Sequence, residues 1–112
     1  MEYIKHYYQD EVASSIYFMA IDGTSYARLY FFKDDNKTAY LDSLSVSEDV
    51  RKKGIGTELQ KLREGLAKEM GYKYVVLWVK KGTWMRNWYK RRGYKYFKPY
   101  KEEKAVWLRK KL

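Results

Sequence analysis

The sequence has no cysteine, one histidine, one proline and only seven glycines in 112 residues. Without thiols there is no disulfide framework, no Cys-ligated zinc and no thiol nucleophile. With His6 as the lone imidazole, a multi-histidine metal site and a Ser-His-Asp triad both lack their parts. So little proline and glycine argues against a disordered chain despite the high charge. Long apolar runs are also missing. Unbroken apolar stretches such as residues 16–21 fall far short of the ~20 residues of a membrane span. Glu2, Lys5, His6, Asp10 and Glu11 stand where a signal peptide would carry its apolar stretch. No membrane partner is expected, and the cytoplasm is the default compartment.

What is present is positive charge and aromatic surface. Lys and Arg number 24 against 14 acids, a net charge of +10, and Phe, Trp and Tyr make up 19% of the chain. The charge predicts an anionic partner, for which nucleic acid, an acidic protein and a phosphorylated cofactor all qualify. Rings can build a core in a small chain, since each removes roughly 150–250 Å² from water. The length fits one domain, residues 1–112.

The first part of the chain has the period of strands. Residues 12–21 form an apolar, aromatic run that stops at Asp22-Gly23, a hairpin signal. Residues 25–33 form a second run, ending at Asp34-Asp35-Asn36. In the third, residues 38–46, strict alternation puts Tyr40, Asp42, Leu44 and Val46 on one face and Leu41, Ser43 and Ser45 on the other. These three runs predict an antiparallel meander, with residues 2–8 as a short extra strand. The period then changes. Ile55, Leu59, Leu62, Leu66 and Met70 form one helical stripe closed by Gly71, while Lys61, Arg63, Glu64, Lys68 and Glu69 form its solvated face. A buried strand is expected at residues 74–79 and a short helix at 84–92, capped by Thr83 and closed by Gly93. Two last strands follow at 94–100 and 105–109. Residues 94–101 interleave basic and aromatic side chains as single-stranded nucleic-acid binders do. The same pattern is that of an amphipathic strand with rings inward and lysines outward, which is the preferred reading.

The informative stretch joins the third strand to the long helix. After Val46 come Ser47-Glu48-Asp49-Val50, then Arg51-Lys52-Lys53-Gly54-Ile55-Gly56-Thr57. Glycines let a ligand approach the backbone, and a helix N-terminus offers unpaired N–H groups at the positive end of its dipole. With three basic residues beside it, this can make a site for a diphosphate; taken alone the motif is weak, and a basic surface turn entering a helix is the favoured reading. Leu59 stands where a dinucleotide fold needs its third glycine, and no Gly-Lys-Ser/Thr follows for a P-loop.

These residues resemble the GNAT N-acetyltransferase superfamily. Arg51-Lys52-Lys53-Gly54-Ile55-Gly56, after Leu44-Ser45-Val46, is similar to its Arg/Gln-x-x-Gly-x-Gly/Ala signature. Trp88-Tyr89-Lys90-Arg91-Arg92-Gly93-Tyr94 is similar to its Phe/Tyr-Tyr-x-x-x-Gly-Phe segment, and Val106-Trp107-Leu108-Arg109-Lys110-Lys111-Leu112 to its last strand. The resemblance covers residues 12–112. It implies a mixed, mainly antiparallel α/β sheet with a central amphipathic helix, and an acetyl-CoA-dependent N-acetyltransferase acting directly on a primary amine. Residues Arg51, Lys52, Lys53, Gly54, Ile55, Gly56 and Thr57 would hold the pyrophosphate. Leu44, Ser45 and Val46 would pair with the pantetheine arm and polarise the thioester. Tyr89 would return a proton to the leaving thiolate. Asp42 is the candidate base on the preceding strand, as much a solvated strand acid as a catalyst from sequence; Glu48 and Asp49 decorate the turn.

The chain departs from the family at two points. Gly82 replaces an asparagine that often touches the cofactor, and the residues before Val12 are too few for the two helices that usually precede the meander. The expected acceptor side is therefore open, or closed by a second subunit in a homodimer. Alternative readings are a catalytically inactive CoA-binding or protein-interaction module and a basic nucleic-acid-binding domain, the latter less favoured.

Overall fold

The computed structural model describes residues 2–21, 23–47 and 54–112. In chain order they form β1 (Tyr3–Gln9), β2 (Ala13–Ala20), β3 (Ser25–Phe32), β4 (Thr38–Val46), α1 (Ile55–Glu69), β5 (Tyr74–Lys80), α2 (Trp84–Lys90), β6 (Lys95–Tyr100) and β7 (Ala105–Lys111). The seven strands make one sheet in the order β1-β2-β3-β4-β5-β7-β6. Every neighbouring pair is antiparallel except β4–β5, where the α1 crossover makes the strands parallel. The expected meander is present, and residues 3–9 extend it by a strand.

Both helices pack on one face of the sheet. Ile55 and Leu59 of α1 meet Ile16, Phe18 and Ala27, while Ala67 and Tyr89 join Leu29, Leu41, Val75, Leu77, Val79 and Leu108. The other face carries rings in successive contact, running from Tyr30, Phe32 and Tyr40 through Trp107 and Tyr100 to Trp78. Among the described residues no helix is long and apolar enough to cross a membrane.

Four sequence expectations are corrected. Alternation in β4 breaks, because the β3–β4 register shifts between Tyr26↔Ser45 and Arg28↔Asp42. Such a bulge inserts one residue and reverses the faces beyond it. Leu44 and Val46 therefore pack on the helix side with the core, while Tyr40 stays among the rings opposite. The apolar stripe of α1 is also rotated: Gln60 and Arg63 are fully buried, Glu64 is mostly covered, and Met70 is 45% exposed. Of the rings at 94–100, Tyr94 is buried and Tyr100 packs against Trp78 and Trp107, but Tyr96 and Phe97 are exposed, since β6 forms the sheet edge and bulges between Tyr96 and Lys98. Finally, α2 ends two residues early, and Thr83 precedes it without capping it. The Thr83 hydroxyl donates to the Lys80 carbonyl at 2.9 Å instead.

The β1–β2 turn is fixed by Asp10, whose Oδ1 accepts from the N–H groups of Val12 and Ala13, both at 2.8 Å. These bonds to the ionised form pull the Asp10 carboxyl below its ordinary value of 3.8. A depressed folded-state pKa gives stability that is present above the unfolded value and lost as pH falls through the folded one. Asp10→Ala should therefore lower Tm near neutral pH, and thermal scans should show the gap to wild type closing below pH 3.8.

Candidate active site

β4 and β5 pair only at Thr38↔Tyr74, Ala39↔Val75 and Tyr40↔Val76. Beyond Tyr40 the two strands diverge, and the gap is a cavity of about 550 Å³. Leu41, Asp42 and Leu44 line one side, Leu77, Trp78, Val79 and Lys80 the other, and Thr83, Met85 and Tyr89 the end. A second cavity of about 770 Å³ lies between Leu44, Ser45 and Val46, the start of α1 at Gly54, Ile55, Gly56 and Thr57, and Trp84, Met85, Trp88 and Tyr89 of α2. Leu44, Met85 and Tyr89 belong to both. The two cavities thus meet at the bulge of β4 and the Tyr89 ring.

The entrance to α1 has the geometry of an anion cradle. Gly54 is the N-cap with φ 78 and ψ 10, a left-handed conformation that glycine adopts without cost. The first intrahelical bond runs from Glu58 N–H to Gly54 O at 2.9 Å, so the N–H groups of Ile55, Gly56 and Thr57 precede it. A Cβ on Gly56 would lie 3.7 Å from Trp88 Cζ2 and 3.9 Å from Val46 Cγ2, so the missing side chain keeps this wall open. Arg92 ties the two helices together. Its Nη2 donates to Thr57 Oγ1 at 2.8 Å, and its guanidinium lies 3.6 Å from the Trp88 ring centre. Arg51, Lys52, Lys53, Glu48 and Asp49 lie outside the described residues.

Tyr89 is 4% exposed, edge-on to both Trp88 and Tyr94. Its hydroxyl accepts from Arg63 Nη2 at 3.5 Å. Arg63 is fully buried although no carboxylate pairs with it among the described residues. Its Nη1 donates to the main-chain oxygens of Arg28 at 3.1 Å and Asp42 at 3.0 Å, both beside the bulge, and its Nη2 also donates to Gln60 Oε1. Gln60 Nε2 reaches Tyr94 Oη at 2.6 Å and Glu64 Oε2 at 2.9 Å, and Lys110 Nζ holds Glu64 Oε1 at 2.6 Å. Burial, reinforced by Glu64, holds the Tyr94 hydroxyl far above the ordinary phenol range, so it stays protonated and donates to Glu64 Oε2 at 3.2 Å.

Asp42 lies on the ring-bearing side and faces the smaller cavity. Arg28 grips it: Nε donates to Oδ1 at 2.6 Å and Nη2 to Oδ2. The hydrogen bond to Asp42 raises the Arg28 guanidinium above its ordinary value, and Tyr30 stacks 4.8 Å below it. The structure therefore brings Leu44, Ser45, Val46, Gly54, Ile55, Gly56, Thr57 and Tyr89 around one cavity and puts Asp42 in the adjoining one. Sequence reasoning missed Arg28, Arg63, Met85 and Trp88. Met85, Trp88 and Tyr89 share one helical face by spacing, and Arg28 is a lone charge inside a strand, so both signals were available.

The chain belongs to the acetyltransferase (GNAT) family, whose sequence pattern matches residues 2–94. The fold agrees. An acetyltransferase from Bacillus cereus ATCC 14579 is 23% identical, with 94% of this chain and 80% of that one covered at a TM-score of 0.72. A GNAT family acetyltransferase from Elizabethkingia anophelis, solved with acetyl-CoA bound, is 13% identical, with 98% of each chain covered and a TM-score of 0.72. The paia N-acetyltransferase of Thermoplasma acidophilum, solved with coenzyme A, is 20% identical, with 90% of this chain and 62% of that one covered and a TM-score of 0.71. No curated protein matches the chain.

Proposed function

We propose that residues 1–112 are a single acetyl-CoA-dependent N-acetyltransferase domain that passes an acetyl group directly to a primary amine. The observation that carries this reading is the meeting of two cavities at Tyr89 and the β4 bulge. The larger has the cradle for a diphosphate at residues 54–57 and a strand edge for a pantetheine arm at Leu44, Ser45 and Val46. Arg51, Lys52 and Lys53 add positive charge to that cradle in sequence. The smaller takes the amine past Asp42 and Trp78. A homodimer joined through the ring-lined face would close this side.

In the reaction the amine nitrogen attacks the thioester carbon, and an N–H of the β4 edge stabilises the negative charge developing on the carbonyl oxygen. The C–N bond forms, the C–S bond breaks, and the sulfur leaves with the electron pair. Tyr89 gives that sulfur its phenolic proton, and the second proton, which the nitrogen sheds as it becomes an amide, returns through water to restore the phenol. An amine resembling lysine, with a pKa around 10.4, arrives as ammonium and must first lose a proton. Asp42, which lines the cavity and is oriented by Arg28, takes it directly or through a water.

Release of thiol from acetyl-CoA tests the reading, with two acceptors. Hydroxylamine is small and neutral at pH 7, so it needs neither an acceptor pocket nor a base. Wild type should accelerate its acetylation above the uncatalysed rate. Asp42→Asn should leave that rate nearly unchanged while slowing transfer to a protonated alkylamine about 100-fold. No thiol release with either acceptor leaves a CoA-binding module without catalysis. Equal loss with both acceptors removes Asp42 from the role of base.

A further inference from the structure

Arg63 touches both halves of the proposed machinery, and it does so from a fully buried position on α1. Its Nη1 holds the main-chain oxygens of Arg28 and Asp42, which flank the register shift in β4. Its Nη2 reaches the Tyr89 hydroxyl at 3.5 Å. One rigid guanidinium therefore sets the separation between the strand edge that would polarise the thioester and the phenol that would protonate the thiolate.

The direction of the second contact matters. A guanidinium donates from its nitrogens and accepts nowhere, so the Tyr89 oxygen must be the acceptor. The phenolic proton cannot be given to Arg63 and stays available toward the cavities that Tyr89 lines. When that proton leaves, the oxygen becomes negative beside a buried cation. In a site of low dielectric such a pair is worth far more than in water. A structural tie alone would be served by a neutral donor such as glutamine or by an ion pair; here no carboxylate pairs with the buried charge among the described residues, and Arg63 Nε has no hydrogen-bond partner among them.

We propose that Arg63 is a positioning residue for acetyl transfer: it orients the Tyr89 proton toward the leaving sulfur and stabilises the phenolate left behind. The inference rests on Tyr89 being the acid, and the experiments separate the two. The first needs no ligand. In protein with 13C-labelled tyrosine rings, the Tyr89 Cζ resonance is assigned by its loss in Tyr89→Phe. Arg63→Lys should move that resonance and leave Tyr7, on the distant and exposed β1, where it was. An unmoved Tyr89 resonance overturns the contact itself.

The second is a double-mutant cycle on acetylation of hydroxylamine. Arg63→Lys and Arg63→Gln should each lower kcat about tenfold or more with KM for acetyl-CoA within about twofold. In the Tyr89→Phe background the same changes should cost less than about twofold further, because the group they act through is gone. If Arg63→Gln does not fold, Arg63→Lys keeps the charge and carries the cycle. Losses that multiply, or an Arg63→Lys variant with lowered Tm and wild-type kcat, make Arg63 a structural tie only. A Tyr89→Phe variant with wild-type kcat refutes the acid instead, and with it the role of Arg63 in the step.

Discussion

Tyr89→Phe should lower kcat for hydroxylamine acetylation about 100-fold, with KM for acetyl-CoA changed by no more than about twofold. The ring stays where it is, edge-on to Trp88 and Tyr94 in the core, so the packing that holds α2 is kept. Only the hydroxyl is lost, and with it a single long hydrogen bond from Arg63, whose Nη2 still has Gln60 Oε1. Stability should therefore fall by ~1 kcal/mol or less. A large rate effect with a small stability effect is the signature of a group that acts in the transition state. The opposite pattern, lower Tm with unchanged kcat, would make Tyr89 a core residue that happens to face a cavity.

Gly56→Leu is the complementary change, aimed at binding. The new Cβ sits in ordinary van der Waals contact with Trp88 and Val46, so the backbone accepts it. Replacing glycine inside a helix even gains up to ~1 kcal/mol of propensity. The rest of the leucine must enter the cavity lined by Ser45, Thr57 and Trp84. Filling space that a ligand needs costs about 2 kcal/mol, which is about 30-fold in Kd. Titration calorimetry with acetyl-CoA should show that loss in a variant as stable as wild type. Unchanged affinity would place the cofactor somewhere else.

Most elements were legible because their periodicity reports directly on burial. β4 at Thr38–Val46 and the start of α1 at Ile55 agree with the sequence residue for residue, since turn residues and glycines bound them. Where the reading failed, the cause was a tertiary contact that no local pattern encodes. The β4 bulge puts two residues opposite one, and nothing in Leu41-Asp42-Ser43-Leu44 says where alternation stops. Arg63 belongs to the solvated side by sequence because charge usually means exposure. Its burial depends on carbonyls presented by β3 and β4 and on Gln60 and Tyr89 from two helices. Tyr96 and Phe97 stay exposed because alternation implies a covered face, whereas this strand is an edge. In the candidate site, the cofactor side followed from adjacent residues in the chain. The acceptor side did not, because the divergence of β4 from β5 is a property of the sheet.

The claim on which the rest depends is that the cleft between β4, α1 and α2 binds acetyl-CoA. Thermal unfolding with and without acetyl-CoA, with adenosine diphosphate as the control, tests it most directly. A ligand that binds only the folded state, at 100 times its Kd, adds ~2.7 kcal/mol, or roughly 10 °C for a chain of this length. The account predicts a shift of that order with acetyl-CoA, a smaller one with adenosine diphosphate, and a much reduced acetyl-CoA shift in Gly56→Leu. No shift at millimolar acetyl-CoA would contradict it.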